Sequence, residues 1–157
     1  MPFWIKVLIS VVVVEALGGI GAAVTSGQIA DWYAGLRRPP GTPPNWLFGP
    51  VWITLYAMIG LSFAIIWHHA APGRLKQVAL LCFAIQMLLN IAWTPVFFGW
   101  HRMLVALLII VALWVAIVVT ILLFRKLRLS AALLLVPYLI WVSYATYLNA
   151  GYWLFNR

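Results

Sequence analysis

Long apolar stretches alternate with short polar gaps along the whole chain. The five apolar stretches cover approximately residues 3–25, 46–67, 75–98, 103–125 and 129–154. Each is long enough to cross the hydrocarbon core of a bilayer as a helix, which takes about 20 residues. The apolar residues run continuously instead of alternating, and lipid leaves each segment to satisfy its own backbone hydrogen bonds, so helices are expected rather than strands. The pattern predicts an all-α protein, an integral membrane bundle of five transmembrane helices.

The gaps between the spans predict how the helices are arranged. Three of them, around residues 70–76, 99–102 and 125–128, are too short to hold a domain. Consecutive helices are therefore expected to be antiparallel neighbours, so that residues 1–157 form a single domain. The first span is expected to be retained rather than cleaved as a signal peptide, because Glu15 interrupts it and no clean cleavage site follows.

Only the first gap, residues 26–45, has room for a structured loop. It contains four prolines, which suppress helix and keep the chain extended. Asn45 follows the last of them and is positioned to cap the second helix.

Composition excludes several classes of protein. Hydrophobic residues make up 66% of the chain and charged residues 8%, whereas about a quarter of the residues in a soluble domain are charged. The net charge of +8 is spread over the gaps, so no nucleic-acid partner is expected. A single cysteine, Cys82, excludes an internal disulfide, and the three histidines lack metal-ligand spacing, so no metal site is predicted.

The distribution of basic residues favours one orientation. Five antiparallel spans place six basic residues on the side of the N-terminus and four on the other side. The positive-inside rule therefore weakly favours a cytoplasmic N-terminus.

Polar residues on the third span share one helical face. They are Gln86, Asn90, Trp93 and Thr94, continued by Phe97. Two interpretations remain open from the spacing. The amides either join helices through hydrogen bonds worth roughly 1 kcal/mol each, or they anchor a ligand inside a cavity.

Aromatic residues deep in the spans favour a cavity. Trp52, Trp93 and Trp141 lie away from the span ends, where interfacial tryptophans are usually found, and each lies near a proline. A proline frees a backbone carbonyl and bends a helix, which can open space between helices. An aromatic-lined cavity is predicted, with plain packing as the alternative.

The first and fourth helices carry different signals. Gly18, Gly19 and Gly21 in the first helix allow close approach of a neighbour, and Glu15 is expected either to have a functional charge or to be protonated and hydrogen-bonded. The fourth helix is almost uniformly aliphatic and is expected to face lipid or a second subunit.

Three blocks in order resemble a known family. Residues 32–39 read WYAGLRRP and residues 43–52 read PPNWLFGPVW; residues 90–99 read NIAWTPVFFG; residues 137–149 read PYLIWVSYATYLN. Together they resemble the translocator protein family, also called tryptophan-rich sensory proteins or peripheral benzodiazepine receptors, in its bacterial form.

The resemblance implies a five-helix bundle, usually a homodimer, with a pocket between the helices and the first loop as its lid. It implies porphyrins such as protoporphyrin IX, isoquinoline and benzodiazepine drugs, and sterols as ligands, with no required cofactor. The matching pocket positions are Tyr33, Trp52, Asn90, Trp93, Trp141 and Ala145. Some bacterial members degrade porphyrin in light, and Trp141 matches the tryptophan needed there. Gly41 replaces a lid tryptophan of many relatives, and the sterol motif is matched only loosely, by Leu148, Tyr152 and Arg157.

Residues and resemblance together define the candidate site. Its ligand-binding residues are Trp32, Tyr33, Arg37, Arg38, Trp52, Tyr56, Asn90, Trp93, Tyr138, Trp141, Ala145 and Leu148. The two arginines could pair with porphyrin propionates at the rim. The leading hypothesis is a membrane receptor or carrier of porphyrins, and the alternatives are a light- and oxygen-dependent porphyrin-degrading enzyme and a structural or regulatory membrane subunit. The expected location is the bacterial cell membrane, with the outer membrane as the other option.

Overall fold

The computed structural model describes residues 1–157 and contains helices and connecting loops only. Five helical segments are long and apolar enough to cross a membrane, which confirms the predicted fold class. The helices are α1 (Phe3–Ala30), α2 (Phe48–His69), α3 (Arg74–Thr94), α4 (Met103–Leu127), α5 (Leu129–Leu134) and α6 (Val136–Phe155). Helices α5 and α6 together make the fifth span.

The first helix is longer than the sequence predicted. It continues to Ala30 instead of ending near residue 25, so the lid loop begins at Asp31. Residues 26–30 contain no proline, and the hydroxyls of Thr25 and Ser26 donate to helix carbonyls within the preceding turn. The polar residues that indicated a loop are thus accommodated within the helix.

Asn45 does not cap α2, contrary to the sequence prediction. It lies inside a short 3₁₀ turn, Asn45–Leu47, and its side chain makes no capping hydrogen bond. The extended backbone that a capping residue needs is instead held by Pro44, whose side chain has no acceptor to offer.

The prolines near the three deep tryptophans, Pro50, Pro95 and Pro137, differ in their effect on the helices. Pro95 ends α3 and starts a π-helical turn, Pro95–Gly99, and Pro137 follows a break at Leu135 that separates α5 from α6. Both interrupt a span because proline lacks an N–H and crowds the preceding turn. Pro50 lies in the first turn of α2, where no N–H donor is needed, so it causes no break.

Close packing between α1 and α2 depends on small residues. A Cβ added at Gly60 would lie 2.7 Å from the backbone of Val11, and one added at Gly18 would lie 2.1 Å from the Tyr56 ring. Gly19 faces open space. The predicted close approach therefore holds for Gly18, on the side of α1 that meets α2, and for Gly21, where an added Cβ would lie 3.2 Å from Thr94 Oγ1 on α3.

Helix α4 is not wholly lipid-facing, which corrects the sequence expectation. Its buried residues are Ala106, Ile110, Leu113, Ile117, Thr120 and Phe124, which recur at helical spacing, while Leu108 on the opposite side is 64% exposed. One face thus packs in the core. A uniformly aliphatic helix offers no polarity contrast from which its two faces could be told apart in the sequence.

Candidate ligand site

A chain of hydrogen bonds between buried side chains crosses the middle of the bundle. The Tyr56 hydroxyl donates to Asn90 Oδ1 at 2.9 Å, and Asn90 Nδ2 donates to the Tyr138 hydroxyl at 2.9 Å. The Tyr138 hydroxyl in turn donates to Gln86 Oε1 at 2.9 Å. Helices α2, α3 and α6 are therefore joined at one depth, as the interhelical interpretation of the polar face predicted.

Beside this chain lies a small enclosed gap. It is lined by Trp52, Asn90, Trp93, Thr94, Ile110, Leu113, Val142 and Ala145. Its volume is about 10 Å³, which is roughly the space one water occupies. The predicted residues converge, but their rings fill the space between them: Trp52 stacks on Tyr56 at 5.2 Å and Trp93 stacks on Phe97 at 5.3 Å between ring centroids.

Trp141 lies between the gap and the outer surface. Its ring meets Trp52 edge-on at 6.5 Å, and it also lines an open apolar groove of about 380 Å³. The other residues of the groove are Val51, Leu55, Pro137, Ile140 and Tyr144. The Trp141 indole nitrogen is buried without a hydrogen-bond partner. Trp141 therefore separates the interior gap from the groove.

The start of the lid packs against aromatic residues at the end of the third span and on α6. Trp32 stacks on His101 at 4.0 Å, and Tyr33 is buried against Tyr152 at 5.0 Å and Phe98 at 5.5 Å. Burial raises the pKa of the Tyr33 hydroxyl above its usual range, so the phenol remains neutral at physiological pH. This part of the lid is held by packing between aromatic rings.

The rest of the lid, residues 37–41, lies along α6. The Arg37 N–H donates to Asn156 Oδ1 at 2.8 Å, and Asn156 Nδ2 donates back to the Arg37 carbonyl at 3.1 Å. The Tyr147 hydroxyl donates to the Pro40 carbonyl at 2.9 Å, and the Tyr144 hydroxyl donates to the Gly41 carbonyl. The lid is therefore attached to α6 at both ends of this segment.

The structure brings some predicted site residues together and places others apart. Trp52, Asn90, Trp93 and Ala145 line the gap. Tyr56 and Tyr138 adjoin it through Asn90, whereas Leu148 packs in a separate cluster with Tyr33. The side chains of Arg37 and Arg38 are exposed and make no hydrogen bond within the chain.

Several residues at the site were not predicted. Ile110, Leu113 and Val142 line the gap but are ordinary aliphatic residues in apolar helices, so no sequence signal marks them. His101 is one of the three histidines without metal-ligand spacing; it is exposed, stacks on Trp32 and has its Nε2 3.0 Å from Gln28 Oε1. Glu15 makes neither a salt bridge nor a hydrogen bond, so the predicted hydrogen-bonded partner is absent.

Comparison with known proteins gives one consistent result. Residues 10–154 match the TspO/MBR family. The chain is 42% identical to the tryptophan-rich protein TspO of Chlorobaculum tepidum over 85% of both chains. It is 38% identical to the tryptophan-rich protein TspO of Archaeoglobus fulgidus over 97% of both chains. It is also 36% identical to the translocator protein of Bos taurus, over 99% of this chain and 93% of the relative. The chain therefore belongs to the TspO/MBR family and is an integral multi-pass membrane protein.

Proposed function

We propose that this protein is a membrane receptor or carrier that binds porphyrins such as protoporphyrin IX, and similar flat apolar ligands, between its helices. The observation that carries the proposal is the convergence of Trp52, Trp93 and Asn90 on one gap near the lid. Two indole rings offer stacking surfaces to a flat macrocycle, and one amide offers a polar anchor.

Binding requires the gap to widen. Pockets for molecules of this size measure about 300–1,000 Å³, against about 10 Å³ in the present conformation. The space is filled by side chains, so rotation of the rings of Trp52 and Trp93 would enlarge it. The lid and the gap are adjacent, because Trp93 stacks on Phe97 and Phe97 lies 6.5 Å from Tyr33.

The test is a titration of tryptophan fluorescence with protoporphyrin IX. Wild type, Trp52→Phe and Trp93→Phe are compared with Trp4→Phe, whose ring is 66% exposed near the N-terminus. We expect weaker binding for the two pocket variants, by about two- to tenfold, because phenylalanine offers a smaller stacking surface than tryptophan and an aromatic pair contributes about 0.5–1.5 kcal/mol. Unchanged affinity in both pocket variants would exclude this pocket.

A second candidate is light- and oxygen-dependent degradation of the bound porphyrin. It is favoured by the position of Trp141, whose ring is 6.5 Å from Trp52 at the edge of the gap. In this scheme the photoexcited porphyrin accepts one electron from the Trp141 indole and passes it to oxygen, which becomes superoxide. The Trp141 radical cation then takes an electron back from the porphyrin, and the porphyrin radical cation combines with superoxide, so that Trp141 is regenerated and both oxygen atoms end on the porphyrin. Trp141→Phe should then retain binding and lose the light-dependent, protein-dependent change in porphyrin absorption. Equal degradation rates in the variant and wild type would remove Trp141 from the reaction.

Three further features belong to the proposal. We propose that the protein forms a homodimer, resides in the bacterial cell membrane and has its N-terminus in the cytoplasm. Chemical cross-linking of the protein in native membranes tests the first, because a monomer would give no dimer band. Fractionation of inner and outer membranes tests the second.

A further inference from the structure

Four contacts attach the lid segment 37–41 to one face of α6. On α6 they involve Tyr144, Tyr147 and Gly151, which are spaced to share a helical face, and the fourth involves Asn156, immediately after the helix ends. Along the lid the partners follow in order: Arg37 meets Asn156, Pro39 lies against Gly151, and the carbonyls of Pro40 and Gly41 accept from the two tyrosines. The segment therefore runs along the helix as a strap.

The strap has a fixed shape of its own. The Thr42 N–H donates to the Pro39 carbonyl at 3.3 Å, and Gly41 has a φ of +79°. A proline followed by a residue with positive φ is the pattern of a type II turn, which favours glycine at the second position. Because this turn is stiff, we expect residues 39–42 to move together when their contacts with α6 break.

Tyr144 is the residue where the strap meets the ligand site. Its hydroxyl donates to Gly41, and its ring lies 5.9 Å from the ring of Trp141. Trp141 in turn contacts Trp52, which lines the gap. Tyr144 therefore contacts both the lid and the aromatic residues beside the gap.

We propose that Tyr144 is a lid-positioning residue whose hydroxyl controls how often the lid opens and so how fast ligand enters and leaves. The inference rests on the proposed function for its ligand-exchange part only. The opening of the lid itself is a property of the chain without ligand, so the two parts are tested separately.

The first experiment measures hydrogen–deuterium exchange of the lid peptide 36–47 in lipid nanodiscs without ligand. Tyr144→Phe keeps the ring against Trp141 and removes only the hydroxyl. The net loss of one neutral hydrogen bond predicts exchange that is about two- to tenfold faster. Tyr147→Phe, which removes the neighbouring donor to Pro40, should act in the same direction. Exchange at the wild-type rate in Tyr144→Phe overturns the proposal.

The matched control is Ser143→Ala on the same helix. The Ser143 hydroxyl accepts from the Trp114 indole at 2.8 Å and donates to the Leu139 carbonyl, so its contacts are with α4 and α6 rather than with the lid. Lid exchange should be unchanged in this variant. Equal acceleration in Ser143→Ala and Tyr144→Phe would mean that α6 is generally loosened, and this too overturns the specific role.

The second experiment follows binding and release of protoporphyrin IX by stopped-flow tryptophan fluorescence. If the Tyr144 hydrogen bond holds the lid closed in both the free and the bound protein, its loss in Tyr144→Phe raises the association and dissociation rates by a similar factor and leaves Kd nearly unchanged. A raised Kd with an unchanged association rate would instead show that Tyr144 contacts the ligand directly, against the proposal. If wild type does not bind protoporphyrin IX, the proposed function fails. The hydrogen–deuterium exchange experiment still tests whether the Tyr144 hydroxyl holds the lid closed.

Discussion

At the scale of single residues, Asn90 belongs both to the buried hydrogen-bond chain and to the lining of the gap. In that chain it lies between Tyr56 and Tyr138. The two interpretations of the polar face in the sequence, interhelical bonding and ligand anchoring, therefore apply to the same side chain. The structure shows the first directly, and the second remains a prediction.

Replacing Asn90 by Leu should destabilise the protein. The Tyr56 hydroxyl would lose its acceptor and the Tyr138 hydroxyl its donor, and unpaired buried groups of this kind cost about 1–3 kcal/mol. We expect a lower midpoint of thermal unfolding in detergent. Gln77→Leu is the matched control, since Gln77 is an exposed amide on the same helix. Equal midpoints for both variants would contradict the structural role of Asn90.

Gly18 and Gly19 give a second test at this scale, because they are neighbours with opposite surroundings. An alanine at position 18 would place its Cβ 2.1 Å from the Tyr56 ring, whereas one at position 19 meets nothing within 4 Å. Gly18→Ala should lower the unfolding midpoint and disturb the hydrogen bond from Tyr56 to Asn90. Gly19→Ala should be neutral or slightly stabilising, since alanine is favoured over glycine in a helix by up to about 1 kcal/mol. The reverse order of stabilities would show that α1 does not pack against α2 in this register.

At the scale of elements, the lid supplies two exposed arginines whose side chains make no hydrogen bond or salt bridge within the chain. The backbone of Arg37 is bonded to Asn156, but its guanidinium and that of Arg38 are exposed. They are available to an anionic ligand without breaking an existing interaction.

Neutralising both arginines should therefore separate charged from uncharged ligands. We expect Arg37→Gln/Arg38→Gln to weaken protoporphyrin IX binding by about two- to thirtyfold, because exposed ion pairs contribute about 0.2–1 kcal/mol each and two are lost. Binding of an uncharged isoquinoline drug should be unchanged. Arg102→Gln, an exposed arginine outside the lid, is the control. Equal losses for both ligands would count against pairing with the propionates.

The elements also show how far the sequence is informative. Hydropathy located all five spans, and Trp52 and Trp93, which their depth in the spans singled out, both line the gap. The end of α1 was misplaced because Thr25 and Ser26 are polar, yet their hydroxyls bond within the helix. The attachment of the lid to α6 could not be predicted, since Arg37 and Asn156 are 119 positions apart and only the folded chain brings them together.

The sequence also could not predict that aromatic rings fill most of the space around the gap. Prolines and aromatic rings near one another indicated open space, but whether rings line a cavity or fill it depends on their rotamers. Here Trp52 and Trp93 stack on their neighbours and fill the space. The same residues are consistent with both arrangements, so the sequence alone does not distinguish them.

At the scale of the whole molecule, the two ends of the bundle differ in charge. The N-terminus and the loops after α2 and α4 lie together, because Phe3 contacts His68 and His69 and Arg128 donates to the His69 carbonyl. Lys76 donates to the carbonyls of Trp67 and Ala70 at the end of α2. Some of the cations at this end therefore satisfy backbone carbonyls in addition to contributing charge.

The remaining cations at this end allow a test of orientation that leaves the fold intact. Arg74, Arg125 and Lys126 are exposed and make no side-chain hydrogen bond within the chain, so replacing them by Gln should not disturb packing. Their loss reduces the basic residues at this end from six to three, against four at the lid end. Since the positive-inside rule counts Lys and Arg flanking the spans, the triple variant should insert partly or wholly in the inverted orientation.

Orientation can be measured with a membrane-impermeant maleimide in a Cys82→Ser background. A cysteine introduced at Ser130, which is exposed just after α4, should be protected in intact cells with the native charges and labelled in the triple variant. A cysteine at Ala34, exposed in the lid, should show the opposite pattern. Labelling at Ser130 with the native charges would place the N-terminus outside. Unchanged labelling in the triple variant would mean that packing, rather than the charge difference between the ends, determines the orientation.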